Sequence, residues 1–279
     1  MTGAHQDGLL DLRFDCAAGD RTYLAARRQR FPLRITTPLY LDPADRGMAF
    51  VYAQNPTGGV FAGDRLETTV AAAGATRVHL TTQSATKLYR MNGGEAVQEL
   101  RFALTGDAYL EHLPDPLIPQ AGARFRQRTM VDMDREARFL AAEMLAPGRR
   151  ARGERFAYEL VELKTEVRCA GRELCVDTLW LEPRRRAPAA PGILGDHDYL
   201  ATLLVVAPGR DAGALAREID DAVAAAPGAR AAAGPLPDAA GVLVRVLAAT
   251  GGAARAALHR AWATARLRLL GIPLPPLRK

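Results

Sequence analysis

Four segments decide how the fold is read: Gly74-Ala-Thr-Arg-Val-His-Leu80, Gly106-Asp-Ala-Tyr-Leu-Glu-His-Leu113, Arg135-Glu-Ala-Arg-Phe-Leu-Ala141 and Gly171-Arg-Glu-Leu-Cys-Val-Asp177. Each is a small or polar turn running into an alternating apolar stretch, the pattern of a strand with one buried face. With Ala75, Ala108, Ala137 and Leu174 taken as equivalent, the spacings are 33, 29 and 37. A loose repeat of this length suits similar strand pairs that bury their apolar faces on one another, as in a β-solenoid or an elongated sandwich. It suits equally an antiparallel meander whose hairpins have similar lengths.

Working outward, positions 9 to about 181 read as strands separated by Gly/Asp/Asn turns, clearest over 68–70, 76–82, 97–104, 108–113 and 137–145. Residues 184–195 form a Pro/Gly/Ala/Arg-rich linker in which Arg184, Arg185 and Arg186 make a solvated turn. Beyond it lie a buried strand, Tyr199–Val206, and a shorter one over 242–247. A helix is expected over 211–226, with Asp211 as N-cap and Leu215, Ile219 and Val223 on its apolar face. A second is expected over 252–270, with Leu258, Trp262, Ala265 and Leu269 as its stripe and Gly271 and Pro273 as its stop. The predicted fold is mainly β, a β-helix-like stack with about two α-helices in the C-terminal third. It forms one domain over 1–279, in which a β body (1–183) is completed by strands and helices over 196–272.

The composition of the 279 residues, 48% hydrophobic and 24% charged, excludes a disordered chain. The longest apolar stretch, 199–207, is about half of the ~20 residues that cross a bilayer. Asp7 and Asp11 break the N-terminal region, so neither a signal peptide nor a membrane partner is expected. Cys16, Cys169 and Cys175 have no metal-ligand spacing and are odd in number, so the expected location is the cytoplasm. The net charge of +6 is carried by arginines scattered among 31 acids, which argues against a nucleic-acid partner.

Catalytic constellations are scarce. No phosphate loop, nucleophile elbow or HExxH motif occurs, and His5, His79, His112, His197 and His259 fall in unrelated segments. That scarcity is itself informative. What the chain does carry is isolated polar residues in or beside apolar β segments: Asp64, Ser84, Lys87, Glu111 and Glu143. A carboxylate buried unpaired at Glu143 would cost several kcal/mol. It needs an arginine such as Arg124 or Arg155, a water channel, or a transient cation.

At these segments the sequence resembles the urease accessory protein D family, called H in some bacteria. The motifs are Asn55-Pro-Thr-Gly-Gly-Val-Phe-Ala-Gly-Asp64-Arg-Leu, Leu80-Thr-Thr-Gln-Ser-Ala-Thr-Lys87-Leu-Tyr89-Arg, Tyr109-Leu-Glu-His-Leu-Pro-Asp-Pro-Leu-Ile-Pro119 and Gly148-Arg-Arg-Ala-Arg-Gly-Glu-Arg-Phe156. Phe31-Pro-Leu-Arg-Ile opens the match, and Gly241-Val-Leu-Val-Arg-Val-Leu247 with the last helix closes it. It departs at Pro114-Asp-Pro and in the tail Pro275-Pro-Leu-Arg-Lys279, where the family's usual aromatic residues are missing.

The resemblance implies a non-enzymatic maturation factor, without a permanently bound cofactor, that binds urease apoprotein and accessory proteins F and G, the latter a GTPase, and helps install nickel in urease. Sparse carboxylates and hydroxyls suit nickel in transit better than nickel in storage, because a store gathers its ligands close together. Asp64, Ser84, Lys87, Glu111 and Glu143 are thus candidate passage residues, with Asp64 and Glu143 foremost. Arg255, Trp262 and Arg266 in the helical third are candidates for contact with protein F. The alternative is a structural or interaction β-solenoid unrelated to nickel.

Overall fold

The structure, a computed structural model, describes residues 5–277; Arg278 and Lys279 of the tail lie outside it. In chain order the first strands are β1 (Asp7–Ala17), β2 (Arg21–Arg30), β3 (Arg34–Ile35), β4 (Ala49–Gln54), β5 (Arg65–Ala73) and β6 (Arg77–Thr82). Next come β7 (Thr86–Leu88), β8 (Ala96–Thr105), β9 (Tyr109–His112), β10 (Leu117–Pro119), β11 (Arg124–Met133) and β12 (Arg138–Leu145). Then follow β13 (Leu160–Cys169), β14 (Arg172–Leu181), β15 (Tyr199–Val206), α1 (Ala212–Ala224), β16 (Ala229–Pro235), β17 (Gly241–Ala248) and α2 (Gly251–Leu270).

The repeat is a parallel one. Arg77 of β6 and Arg138 of β12 both lie opposite Tyr109 of β9, offsets of 32 and 29 residues. The other sheet advances by the same two steps, Arg65 of β5 opposite Val97 and Phe125 of β11 opposite Ala96 of β8. Parallel neighbours separated by about thirty residues are the successive coils of a solenoid; a meander would pair them antiparallel. The coils form two facing sheets, ordered β14-β13-β11-β8-β5-β1-β2 and β16-β17-β15-β12-β9-β6-β4-β3. Between them lies an apolar core that includes Leu12, Phe14, Val70, Phe102, Phe125, Phe139 and Leu110.

The fourth segment does not continue the repeat. After the tight turn at Ala170 and Gly171, both at positive φ, β14 folds back antiparallel on β13 in the other sheet. The coil that extends the stack is β4, with Ala49 opposite Val78. Alternation marks 171–177 as a strand, and only the turn geometry separates a further coil from a hairpin.

Both helices form where capping residues place them. Asp211 accepts a hydrogen bond from the Ala214 amide at 2.9 Å, and Thr250 accepts one from Ala253 at 3.2 Å. Gly271, at φ 72°, closes α2 in the left-handed conformation. The buried face of α2 differs from the expected stripe. It consists of Ala254, Ala257, Ala261 and Ala265, with Arg266 and Leu269, while Leu258 and Trp262 are only partly buried. Alanine brings the helix axis close to α1 and the outer face of the second sheet, and larger side chains are left at the border. Strand β16 is unmarked in the sequence because Ala229–Pro235 is rich in Ala and Gly and ends in Pro. It survives as an edge strand paired only with β17.

Arg184, Arg185 and Arg186 are exposed, as expected, whereas Leu194 at the end of the linker is buried. Among the described residues no helix is long and apolar enough to cross a membrane. Ala261 is fully buried, so Ala261→Leu should destabilise the protein by about 1–3 kcal/mol through overpacking. The corresponding change at exposed Ala256 should leave the urea midpoint nearly unmoved.

Candidate functional site

Successive side chains of a strand point to opposite faces, so inward residues of neighbouring coils line up in rows. One row of the first sheet runs Leu10, Thr68, Leu100, Thr129, Thr165, Asp177, each opposite the next. In the facing sheet Glu143 of β12 lies opposite Thr202 of β15, which lies opposite Arg245 of β17. Glu143, Thr202 and Arg245 thus confront Thr129, Thr165 and Asp177 across the interior. Gln127 Nε2 spans the gap and donates to Glu143 Oε1 at 2.6 Å. Arg245 donates to Thr202 Oγ1 at 2.6 Å and forms an ion pair with Asp177.

Thr129, Thr165, Asp177, Glu143 and Thr202 line a cavity of about 20 Å³ that His112 also lines. His112 lines a second cavity too, of about 130 Å³, whose mouth includes Ser84 and Lys87. One imidazole is thus shared by the walls of both spaces. Burial, with His79 nearby, drives the His112 pKa down to about 4, so its ring is neutral at pH 7. Burial, reinforced by Asp177, pushes the Glu143 carboxyl up to about 7 against the opposing pull of Arg245 and Gln127. Neither expected arginine partners Glu143. Arg124 is held by Glu159, and Arg155 by Asp198.

Glu111, also expected on this path, faces the other way. Leu110 and His112 point between the sheets, so Glu111 points to the helical layer. There its oxygens meet His79 Nδ1 at 2.8 Å, Arg266 Nη1 at 2.9 Å and the Tyr109 hydroxyl at 2.5 Å. Burial alone would raise the Glu111 carboxyl, but His79, Arg266 and Tyr109 together hold it below the ordinary carboxylate range. Arg266 also pairs with Asp42 and donates from Nε to the Pro273 carbonyl at 3.1 Å. It is fully buried, which removes it from the exposed surface where a partner contact was expected. Its guanidinium bolts α2 to the second sheet.

Asp64 is likewise committed, as a buried turn carboxylate that accepts from the amides of Phe61 at 2.9 Å and Gln6 at 3.1 Å. The surrounding motif is a loop lock. Asn55 Nδ2 donates to the Gly59 carbonyl at 3.0 Å, and Thr57 Oγ1 donates to the same oxygen at 2.9 Å. A Cβ on Gly59 would sit 2.4 Å from the Tyr89 ring and 2.6 Å from the Lys87 carbonyl, so only glycine lets the two motif loops touch. Ser84 and Lys87 are exposed at the cavity mouth these loops frame.

In the helical layer Trp262 and Arg255 line a groove of about 350 Å³ between α2 and the Pro114-Asp115-Pro116 turn. Arg255 pairs with Asp115 at 3.5 Å, and the shielded Trp262 indole N–H has no acceptor among the described residues. Of the candidate residues, then, only Glu143, Ser84 and Lys87 belong to the inter-sheet spaces. His112, Gln127, Asp177, Thr202 and Arg245 join them unforeseen. Strand parity with Leu110 marks His112, and parity with Leu179 marks Asp177; no local signal pairs the two sheets.

Among the described residues no three His, Cys, Asp or Glu side chains gather as a metal cage. The molecule is a two-sheet β-solenoid with a helical layer and a sparse polar seam, a scaffold architecture. The family model described as UreD urease accessory protein matches residues 6–279, and the chain belongs to that family. It is 39% identical to urease accessory protein UreD 2 of Streptomyces griseus over 98% of this chain and 93% of that protein. Identity is 38% with UreD of Mycolicibacterium gilvum (87% and 88% covered) and 36% with UreD of Haloarcula marismortui (98% and 91%). Membership gives the chain a role in urease maturation.

Two outcomes follow from the charges. Removing the bolt, Arg266→Ala, leaves Glu111 and Asp42 buried without their cation and should cost about 3–5 kcal/mol; Arg255→Ala, which removes an exposed arginine from a long 3.5 Å pair, should cost no more than about 1 kcal/mol in urea unfolding. Because the Glu143 carboxyl is raised from 4.5 to about 7 on folding, the folded state holds its proton more tightly. Stability attributable to this group therefore falls as pH rises through that window and is level above it. Glu143→Gln should match the wild type below pH 4.5 and exceed it above pH 7. The gain, discounted for partial exposure, should be about 1–2 kcal/mol, read from melting curves across pH.

Proposed function

We propose that this chain is a urease maturation factor that joins accessory proteins F and G in a GTP-hydrolysis-dependent assembly, binds urease apoprotein and aids nickel insertion. The polar seam carries the proposal. It offers a cation one neutral imidazole, a few hydroxyls and two carboxylates in series, never a cage. Nickel(II) accepts nitrogen and oxygen donors alike, and few donors at each point favour release over retention. Nickel is cargo here, held in transit.

In this reading Ser84 and Lys87 stand at the entrance framed by the two motif loops, and His112 lines both spaces. Glu143, poised near neutrality, exchanges its proton for an arriving cation and takes a proton back on release. Asp177 is tied to Arg245 until a cation competes for it. The helical layer, with Trp262 and Arg255 in its groove, is the side offered to protein F. The three free cysteines suit a reducing cytoplasm.

Glu143→Leu should lower the nickel content of urease matured with this protein, measured by metal analysis, while co-purification with proteins F and G and with urease apoprotein stays at the wild-type level. Wild-type nickel loading by that variant would remove the passage and favour a purely structural solenoid. Glu143→Gln, which keeps the shape and the hydrogen bond from Gln127, should show an intermediate loss that grows less marked below pH 7.

A further inference from the structure

Three turns meet at one rim of the second sheet, far in sequence from one another: Asp107 before β9, Arg135 and Glu136 before β12, and Pro208 to Arg210 before α1. With Arg138, the first residue of β12, they surround a recess of about 510 Å³. Arg135 and Arg210 are exposed and have no ion-pair partner among the described residues. Arg138 is partly buried. Its Nη1 donates to the Leu269 carbonyl at the end of α2 at 2.9 Å, and its Nη2 reaches the Asp107 carbonyl at 3.5 Å. Its Nε is shielded from solvent without an acceptor.

The charges do not balance locally. Burial and the neighbouring Arg210 both act against the charged form of Arg138, and Asp107 offsets them only in part. The carboxylates of Asp107 and Glu136 line the recess, yet neither pairs with any of the three guanidinium groups among the described residues. A protein that only needed a stable rim would place an acid between Arg138 and Arg210. Instead the rim keeps three guanidinium groups around an open space, two of them exposed and without an ion-pair partner among the described residues. Guanidinium groups bind tetrahedral oxyanions through parallel charge-assisted hydrogen bonds, and such a ligand would offset the repulsion between Arg138 and Arg210.

We propose that the recess formed by Arg135, Arg138 and Arg210 binds a phosphate-type oxyanion, either free or carried by a small phosphate ester. Nothing in the urease maturation reading requires this site, and the two stand or fall separately.

The test uses the full chain and two probes, inorganic phosphate and ADP, titrated at constant ionic strength against chloride. Saturable binding by calorimetry, with a matching rise in melting temperature, is expected for at least one probe; phosphate alone points to the free ion, and ADP at much lower concentration to an ester. The double variant Arg135→Gln, Arg210→Gln should weaken that binding by about 10-fold or more. Without ligand its melting temperature should stay level or rise, because repulsion on Arg138 is relieved. Arg184→Gln, Arg186→Gln removes the same charge from an exposed linker and should bind as the wild type does. Absence of saturable binding of either probe, or equal weakening by the linker variant, overturns the proposal.

Discussion

The rest of the molecule depends on a geometric constraint, the equal advance of two facing sheets. From β5 to β8 and from β6 to β9 the chain moves 32 residues; from β8 to β11 and from β9 to β12 it moves 29. Had the sheets advanced unequally, inward residues would have slipped out of their rows, and a slip of one position turns every side chain to the opposite face. Equal advance keeps Thr68, Leu100 and Thr129 in one row of the first sheet and Leu80, His112 and Ala141 in one row of the other. The seam is thus a product of loop length as much as of residue identity.

The same parity divides the polar groups between two tasks. His112 and Glu143 face the interior, where burial leaves one imidazole neutral and one carboxyl near its midpoint at neutral pH. Glu111, one residue away from His112, faces the helices and is consumed by Arg266, His79 and Tyr109. The closely packed alanine face of α2 lets that helix lie near the sheet, and the buried guanidinium fixes where along the sheet it sits. Removing water from several charges is costly, so a bolt of this kind adds more to positional precision than to net stability.

Much of the architecture was legible because it rests on local rules. Alternation found the strands, Asp211 and Gly271 found helix limits, and the near-thirty spacing found the coils. Spacing could not say whether neighbouring strands were parallel, and it admitted β14, whose Ala170-Gly171 turn reverses the chain. The site was less legible for a related reason. Asp64, Glu111 and Glu143 look alike in sequence, each a carboxylate in an apolar setting, and differ only in what stands opposite. Asp64 met backbone amides, Glu111 met a buried arginine, and Glu143 met a glutamine across the interior. Arg266 misled because arginine in a helix is usually a surface residue, and its partners Asp42 and Glu111 are 224 and 155 positions away.

The hairpins β1–β2 and β13–β14 give the first sheet an end at both sides. Each outermost strand runs against its neighbour, and β2 presents exposed Arg27, Arg28 and Arg30 along its margin. An outermost strand offers its unpaired N–H and C=O groups to any further strand, and charged side chains along it oppose such docking. At the β2 end the row of arginines therefore supplies a charged margin where another chain would otherwise add to the sheet.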